Sequence, residues 1–314
     1  MKNILKGILC LILLSCMIGC GASEANKGTP LSIQAMNTIE NYAEFSLFKI
    51  ETVKEMKAPI HTGLYYESKS EAETYVDVVL DWKNLSTQSF QESELVTITA
   101  KNENGIEYND VLYVVETSRG TSLSQFEEIK PLTTARVHCG ISVPITETNL
   151  TITLKVKNEM YTCEYSLNSK VSNEKELKEN DEVVDKDYAA FVFKGIEYTD
   201  DLLPPDTSKA YRHYKVDDTN NTYLVVKFDL TNYMSDDLDC DEIFGMKAVY
   251  MDKYNYDGFA VIEDEDGRGF SSFEDIKPLT TRSFYYLIEV PKSVQEESLK
   301  LNIYFNKQEF YYIK

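Results

Sequence analysis

The sequence predicts an all-β protein built from two tandem antiparallel β-sandwiches. Three observations predict it. Residues 126–134 (FEEIKPLTT) and 273–281 (FEDIKPLTT) are identical at eight of nine positions, so one unit has been used twice. Apolar residues alternate with a period of two in both halves, and no long amphipathic helical period interrupts them. Short runs rich in Val, Ile, Tyr, Phe and Thr recur at the spacing of sandwich strands.

The N-terminus comes first. Residues 1–19 read as a signal peptide: Lys2 and Lys6, then an apolar run from Ile8 to Ile18. That run is shorter than the ~20 residues a membrane-spanning helix needs. It ends in Met17-Ile18-Gly19-Cys20, which resembles the lipobox of bacterial lipoproteins. The resemblance implies that Cys20 carries a diacylglycerol and becomes the first mature residue. Cys16 is the rival position, but it is followed by apolar residues, whereas small and polar residues follow Cys20. Residues 20–41 are then the lipidated cysteine and a flexible tether. Such an anchor holds the chain at the membrane without a spanning helix.

The first copy is expected over 42–168. Val76, Val78, Leu80 and Trp82 point to one face; Asp77, Asp81 and Lys83 point to the other. Strands are expected to start near 42, 74, 94, 106, 126, 134, 150 and 160. The stretch 53–73 reads as a long loop. In the repeated box, Pro131 presets φ for a turn, Leu132 is expected to plug the sandwich end, and Pro144 closes the next strand. Residues 169–187 carry many charges and few apolar side chains, so they read as a solvated linker, with loosely coupled domains on either side. The second copy, 188–314, repeats the scheme with Leu224, Val226, Phe228 and Leu230 inward and strands near 188, 222, 245, 256, 273, 281, 299 and 309. Its long loop is 199–221, and Leu279 and Pro291 occupy the places of Leu132 and Pro144.

Two features recur at matching positions: the strand Tyr75…Val78…Asp81…Asn84 (Tyr223…Val226…Asp229…Asn232), and a late proline loop followed by a strand ending Val143-Pro144 (Val290-Pro291). The layout resembles immunoglobulin-like modules of unknown function that follow lipoprotein signals in Gram-positive cell-surface proteins. The family usually has glycine after the loop proline; this chain has Leu132 and Leu279. The resemblance implies immunoglobulin-like sandwiches and no catalytic residue.

The formal charge is −20, and loss of Lys2 and Lys6 with the signal brings it to −22. Nucleic acid and anionic headgroups repel such a surface. Beyond Cys20, the mature cysteines are Cys139, Cys163 and Cys240, an odd set. Core packing is the main reading of Cys139, and a Cys139–Cys163 disulfide the lesser one. His138 alternates outward beside Cys139, and His61, His138 and His213 fall in no metal or nucleophile motif, so no enzyme is expected. Asp236, Asp237, Asp239 and Asp241 in one loop, and Asp264 and Asp266 in another, are weak Ca²⁺ candidates; solvated acidic loops are the stronger reading, and no resident cofactor is expected. Tyr65, Tyr66 and Tyr211 are weak binding candidates, since exposed Tyr can stack on sugars or anchor a protein. The expected function is a lipid-anchored, extracytoplasmic, non-catalytic binding or adaptor module on the outer face of the bacterial cytoplasmic membrane. Its partner is a surface protein or glycan. The alternative is a wall-glycan binder using the loop tyrosines.

Overall fold

A computed structural model describes residues 28–33, 35–59, 64–117, 120, 122–251 and 253–314. The signal sequence and Cys20 lie outside the described residues. Among the described residues, no helix is long and apolar enough to cross a membrane.

The chain folds as two antiparallel β-sandwiches in tandem. In the first, the strands Ala43–Val53, Glu73–Asn84, Thr134–Pro144 and Val111–Glu116 form one sheet in the order Val111–Glu116, Thr134–Pro144, Glu73–Asn84, Ala43–Val53. The facing sheet holds Thr97–Asn102, Asn149–Val156 and Glu159–Ser166. The second copy reproduces this with Ala189–Thr199, Asn221–Asn232, Thr281–Pro291 and Tyr254–Glu263, facing Phe244–Tyr250, Lys300–Phe305 and Gln308–Ile313. There Tyr254–Glu263 runs unbroken from one sheet into the other. In the first copy the same crossing is split into Glu107–Tyr108 and Val111–Glu116. Both copies carry a β-bulge at the same place, between Leu47 and Lys49 and between Phe193 and Gly195.

The alternation works as expected. Val76, Val78, Leu80 and Trp82 enter a core closed by Phe45, Ile152 and Leu154 from the facing sheet and neighbouring strands. The second core is phenylalanine-rich: Phe191, Phe228, Phe244 and Phe284 meet edge-on, tilted or stacked, with centroids 4.6–6.1 Å apart, the range in which aromatic pairs add to area burial. Cys139 and Cys240 are buried, and all three described cysteines are free. Cys139 lies on the Thr134–Pro144 strand and Cys163 in the facing sheet.

The segments flanking each copy differ from a polar tether and linker. Thr29–Pro30 pairs in parallel with Tyr161 and Thr162, Leu31 is buried, and Asn37–Ile39 pairs with Ala43–Phe45. Lys175–Glu176 pairs in parallel with Phe310 and Tyr311, Leu177 is buried, and Glu182–Val184 pairs with Ala190–Val192. Residues 28–41 and 175–187 are therefore equivalent openings of the two copies. They are held by backbone pairing and by a few apolar side chains, Leu31, Ile33 and Ile39 in the first and Leu177 and Val183 in the second, which overall composition does not reveal. The long loops also fold back. Met56, Ala58 and Tyr66 cover Tyr75, Val114 and Leu123 on the outer face of the first copy, and Leu202, Tyr214 and Val216 cover Tyr223, Val261 and Phe270 on the second.

Candidate functional site

Outward-facing positions of a sandwich strand normally meet water. On the first copy one group of them meets the second copy. The side chains of Lys49, Asp77, Glu116, Arg136 and His138 leave the outer face of the first sheet, and all five are buried. The hairpin Lys300–Phe305/Gln308–Ile313 of the second copy covers them with Tyr304, Lys307 and Glu309. Domains expected to be loosely coupled are instead joined through a seam of charged groups.

His138 sits at its centre. Its Nδ1 lies 2.7 Å from Asp77 Oδ2 and its Nε2 3.1 Å from Glu116 Oε1. Tyr304 of the second copy donates its hydroxyl to Glu116 Oε2 at 3.3 Å. Arg136 donates from Nε to Asp81 at 2.9 Å, reaches the carbonyl of Lys307, and lies 3.7 Å from Glu309. Its guanidinium carbon is 3.5 Å from the centroid of the Phe48 ring, a cation–π stack that suits a desolvated arginine. Lys49 bridges Glu51 at 2.9 Å and Glu309 at 3.5 Å.

Burial alone lowers the pKa of His138, but the charges and hydrogen bonds of Asp77 and Glu116 outweigh it and lift the ring to about 9. Burial likewise lowers Lys49, and Glu309 and Glu51 more than reverse it. Burial raises Glu116, yet His138 and Arg136 hold its carboxyl below the usual range. The imidazole is thus a cation at neutral pH, with both nitrogens donating to carboxylates. It has no lone pair to offer as a base. Beside the seam, Lys49, Lys170, His138, Glu174, Tyr304 and Glu309 border an interdomain cavity of about 170 Å³.

The repeated box lies elsewhere, and its backbone is the same in both copies. Asn84 donates Nδ2 to the carbonyls of Ile129 (3.0 Å) and Gln88 (2.7 Å); Asn232 donates to Ile276 (2.7 Å) and Asp236 (2.9 Å). Thr133 and Thr280 close the turn by donating Oγ1 to Lys130 and Lys277 at 2.8 and 2.7 Å. Ile129 and Ile276 are buried. Pro131 and Pro278 occupy the first central position of the turn, and the next residues, Leu132 and Leu279, have φ of 61° and 56°, the sign a type II turn requires. The expected leucine plug is corrected: Leu132 is 71% exposed and Leu279 78%, because the left-handed backbone leaves these side chains in solvent rather than in the core. Phe126 and Phe273, at the head of the box, are 85% and 94% exposed.

The sequence-chosen residues are scattered. Tyr65 and Tyr211 are exposed on loops of different copies, with Lys57 Nζ 5.1 Å from the Tyr65 centroid and the Tyr211 ring edge-on to His213 at 5.6 Å. Tyr66 is half-buried against the Met56 cluster. Asp239 and Asp241 come together with Glu242, their ligand oxygens within 4.8 Å of one another. Asp236 contributes its carbonyl to Asn232. Asp264 pairs with Arg212 at 2.7 Å, and Asp266 accepts from the Arg268 backbone at 3.0 Å. Asp237, Asp264 and Asp266 share an open depression of about 650 Å³, with Phe273 on its wall. Sequence reasoning placed His138 outward and stopped there. The missed signal is that outward positions of the first copy carry Lys49, Asp77, Arg136 and His138 where the second has Gly195, Val225, Ser283 and Tyr285.

No family model and no curated protein matches the chain. Among solved structures, the chain is similar to an uncharacterized β-sandwich protein from Clostridium difficile 630, at 24% identity and a TM-score of 0.42, over 45% of this chain and 94% of that one.

Proposed function

We propose that the chain is a lipid-anchored, extracytoplasmic protein that acts as a non-catalytic binding or adaptor module on the bacterial cell surface. The observation that carries this reading is the seam. Within the first copy His138 is paired with Asp77 and Glu116, and the copies are joined by Lys49 and Arg136 facing Glu309 and by the Tyr304 hydroxyl on Glu116. A joined pair of sandwiches presents its loops at a fixed spacing, which suits an adaptor. The lipobox-like Met17-Ile18-Gly19-Cys20 supports anchoring at Cys20 on the outer face of the cytoplasmic membrane. The acidic charge disfavours nucleic acid as a partner.

The test is crosslinking capture on intact host cells, with the tagged protein and a Cys20→Ala control, alongside labelling with radioactive palmitate. The reading expects label on the wild type alone and a protein partner captured only by the anchored form. Capture of wall glycan without protein would replace it with the glycan reading, in which Tyr65 and Tyr211 are the exposed members of the three loop tyrosines.

A further inference from the structure

Loops usually diverge faster than cores. Between these copies the order is reversed. The core strand Tyr75–Asn84 keeps Tyr75, Val78, Asp81 and Asn84 in Tyr223–Asn232, four of ten residues, whereas the box keeps eight of nine. The turn's own needs account for part of that identity. Ile129 and Ile276 are packed, Pro131 and Pro278 fix φ, the threonines close the turn, and Asn84 and Asn232 clamp it. They do not account for Phe126 and Phe273, which are almost fully exposed. Nor do they account for Leu132 and Leu279, which are exposed and held at a positive φ. A β-carbon disfavours that backbone region, so retaining leucine there twice costs stability and returns no packing.

We propose that the two box loops are a duplicated protein-docking surface, in which Phe126 with Leu132 and Phe273 with Leu279 anchor segments whose apolar residues are flanked by Lys or Arg. This rests on the adaptor reading and names its partner class. Charge selects the occupant. Glu127 and Glu128 are exposed beside Phe126. Phe273 lies on the wall of the depression that holds Asp237, Asp264, Glu265, Asp266, Glu274 and Asp275 against Arg212, Lys277 and Arg282. An apolar anchor inside an acidic rim fits a basic-apolar segment, and it repels the anionic lipid surface that would otherwise attract exposed Phe and Leu. Two equal loops on one joined body suit a partner that repeats the segment, because the second contact then forms at high effective concentration.

The experiment selects random phage-displayed peptides on the full-length protein in detergent. Selected peptides are then measured against Phe126→Ala/Phe273→Ala and Leu132→Gly/Leu279→Gly variants. The expected consensus joins an apolar residue to Lys or Arg, with binding that weakens as salt rises. The phenylalanine variant loses at least about tenfold in affinity, as truncation of an interface anchor does. The leucine variant also loses affinity while its melting temperature holds or rises, because glycine relieves the positive φ. A fall in melting temperature would show that the leucines are structural and overturn the proposal. So would an acidic consensus, no enrichment, or equal binding to the phenylalanine variant. Binding of anionic vesicles, or self-association in sedimentation, that disappears in these variants would likewise overturn it by naming another occupant. Cell-surface capture that persists in the variants refutes the loops alone, whereas absence of capture by the wild type refutes the adaptor reading.

Discussion

His138→Gln tests the seam most directly. Glutamine is close in size, stays neutral and can still donate one hydrogen bond, so the change removes mainly the charge. The folded ring titrates at about 9, against about 6.5 in an unfolded chain. Because the folded value is raised, the stabilisation is complete below about pH 6.5 and is lost as pH rises through about 9. Linkage over that interval gives about 3 kcal/mol at pH 6, about 2 kcal/mol at pH 7.5 and close to zero by about pH 10. The groups that face the ring are Asp77, Glu116 and, through Glu116, Tyr304. Arg136, Lys49 and Lys307 lie around them. Lys49 and Arg136 are present in both proteins, but Glu116 loses in the variant the cation that helps to lower its carboxyl and moves upward, so the limb above about pH 7.5 carries the test. Equilibrium urea unfolding from pH 6 to 10 reads it out, followed by fluorescence of Trp82, the single tryptophan, which is buried in the first core. A wild-type advantage that is independent of pH, or that grows as pH rises, would mean the ring is neutral in the fold and would refute the charge reading of the seam.

Gly120→Ala attacks the same seam from the backbone: a β-carbon there would sit 2.8 Å from the Tyr304 ring at a φ of 64°. It should cost about 1–3 kcal/mol and raise protease cleavage within 169–187, both measured against wild type. Asn84→Ala and Asn232→Ala each free one carbonyl of a buried residue, Ile129 or Ile276, and one of an exposed residue, Gln88 or Asp236, and each should lower unfolding stability by about 1–3 kcal/mol. Because the two clamps are far apart in the chain and share no partner, the double variant should be additive within about 0.5 kcal/mol in a double-mutant cycle.

Much of the fold was legible because a strand that buries one face writes its period into the sequence. Val76, Val78, Leu80 and Trp82 announce both the strand and its buried side. The observed starts at Ala43, Glu73, Thr134, Asn149 and Glu159 fall within a residue of those read from the pattern. Alternation says which side a residue leaves, and it is silent about what lies beyond. Asp77 and His138 were rightly placed outward, and their burial depends on a hairpin more than 160 residues downstream. Thr29–Pro30 and Lys175–Glu176 were unreadable for a related reason: a two-residue parallel pairing is specified by the partner strand rather than by local composition. Leu132 misled because hydrophobicity suggests burial, whereas its backbone is set by the turn.

The two copies also provide an internal control for what makes the seam. Glu116 and Glu263 are equivalent, since each faces the following short strand at Leu123 or Phe270. Each also receives a contact from the equivalent strand position: Glu116 from His138, and Glu263 from the Tyr285 hydroxyl at 3.3 Å. The second carboxylate differs, because Asp77 is matched by Val225. A histidine at 285 would therefore touch one carboxylate, Glu263, with Glu197 acting only at longer range, where His138 touches two, and it would be less buried. Proton titration of the Tyr285→His protein by NMR should place the new ring below His138. Adding Val225→Asp should move it upward, by the sign an additional anion dictates. If the single variant already titrates as high as His138, the second carboxylate is not what lifts the ring.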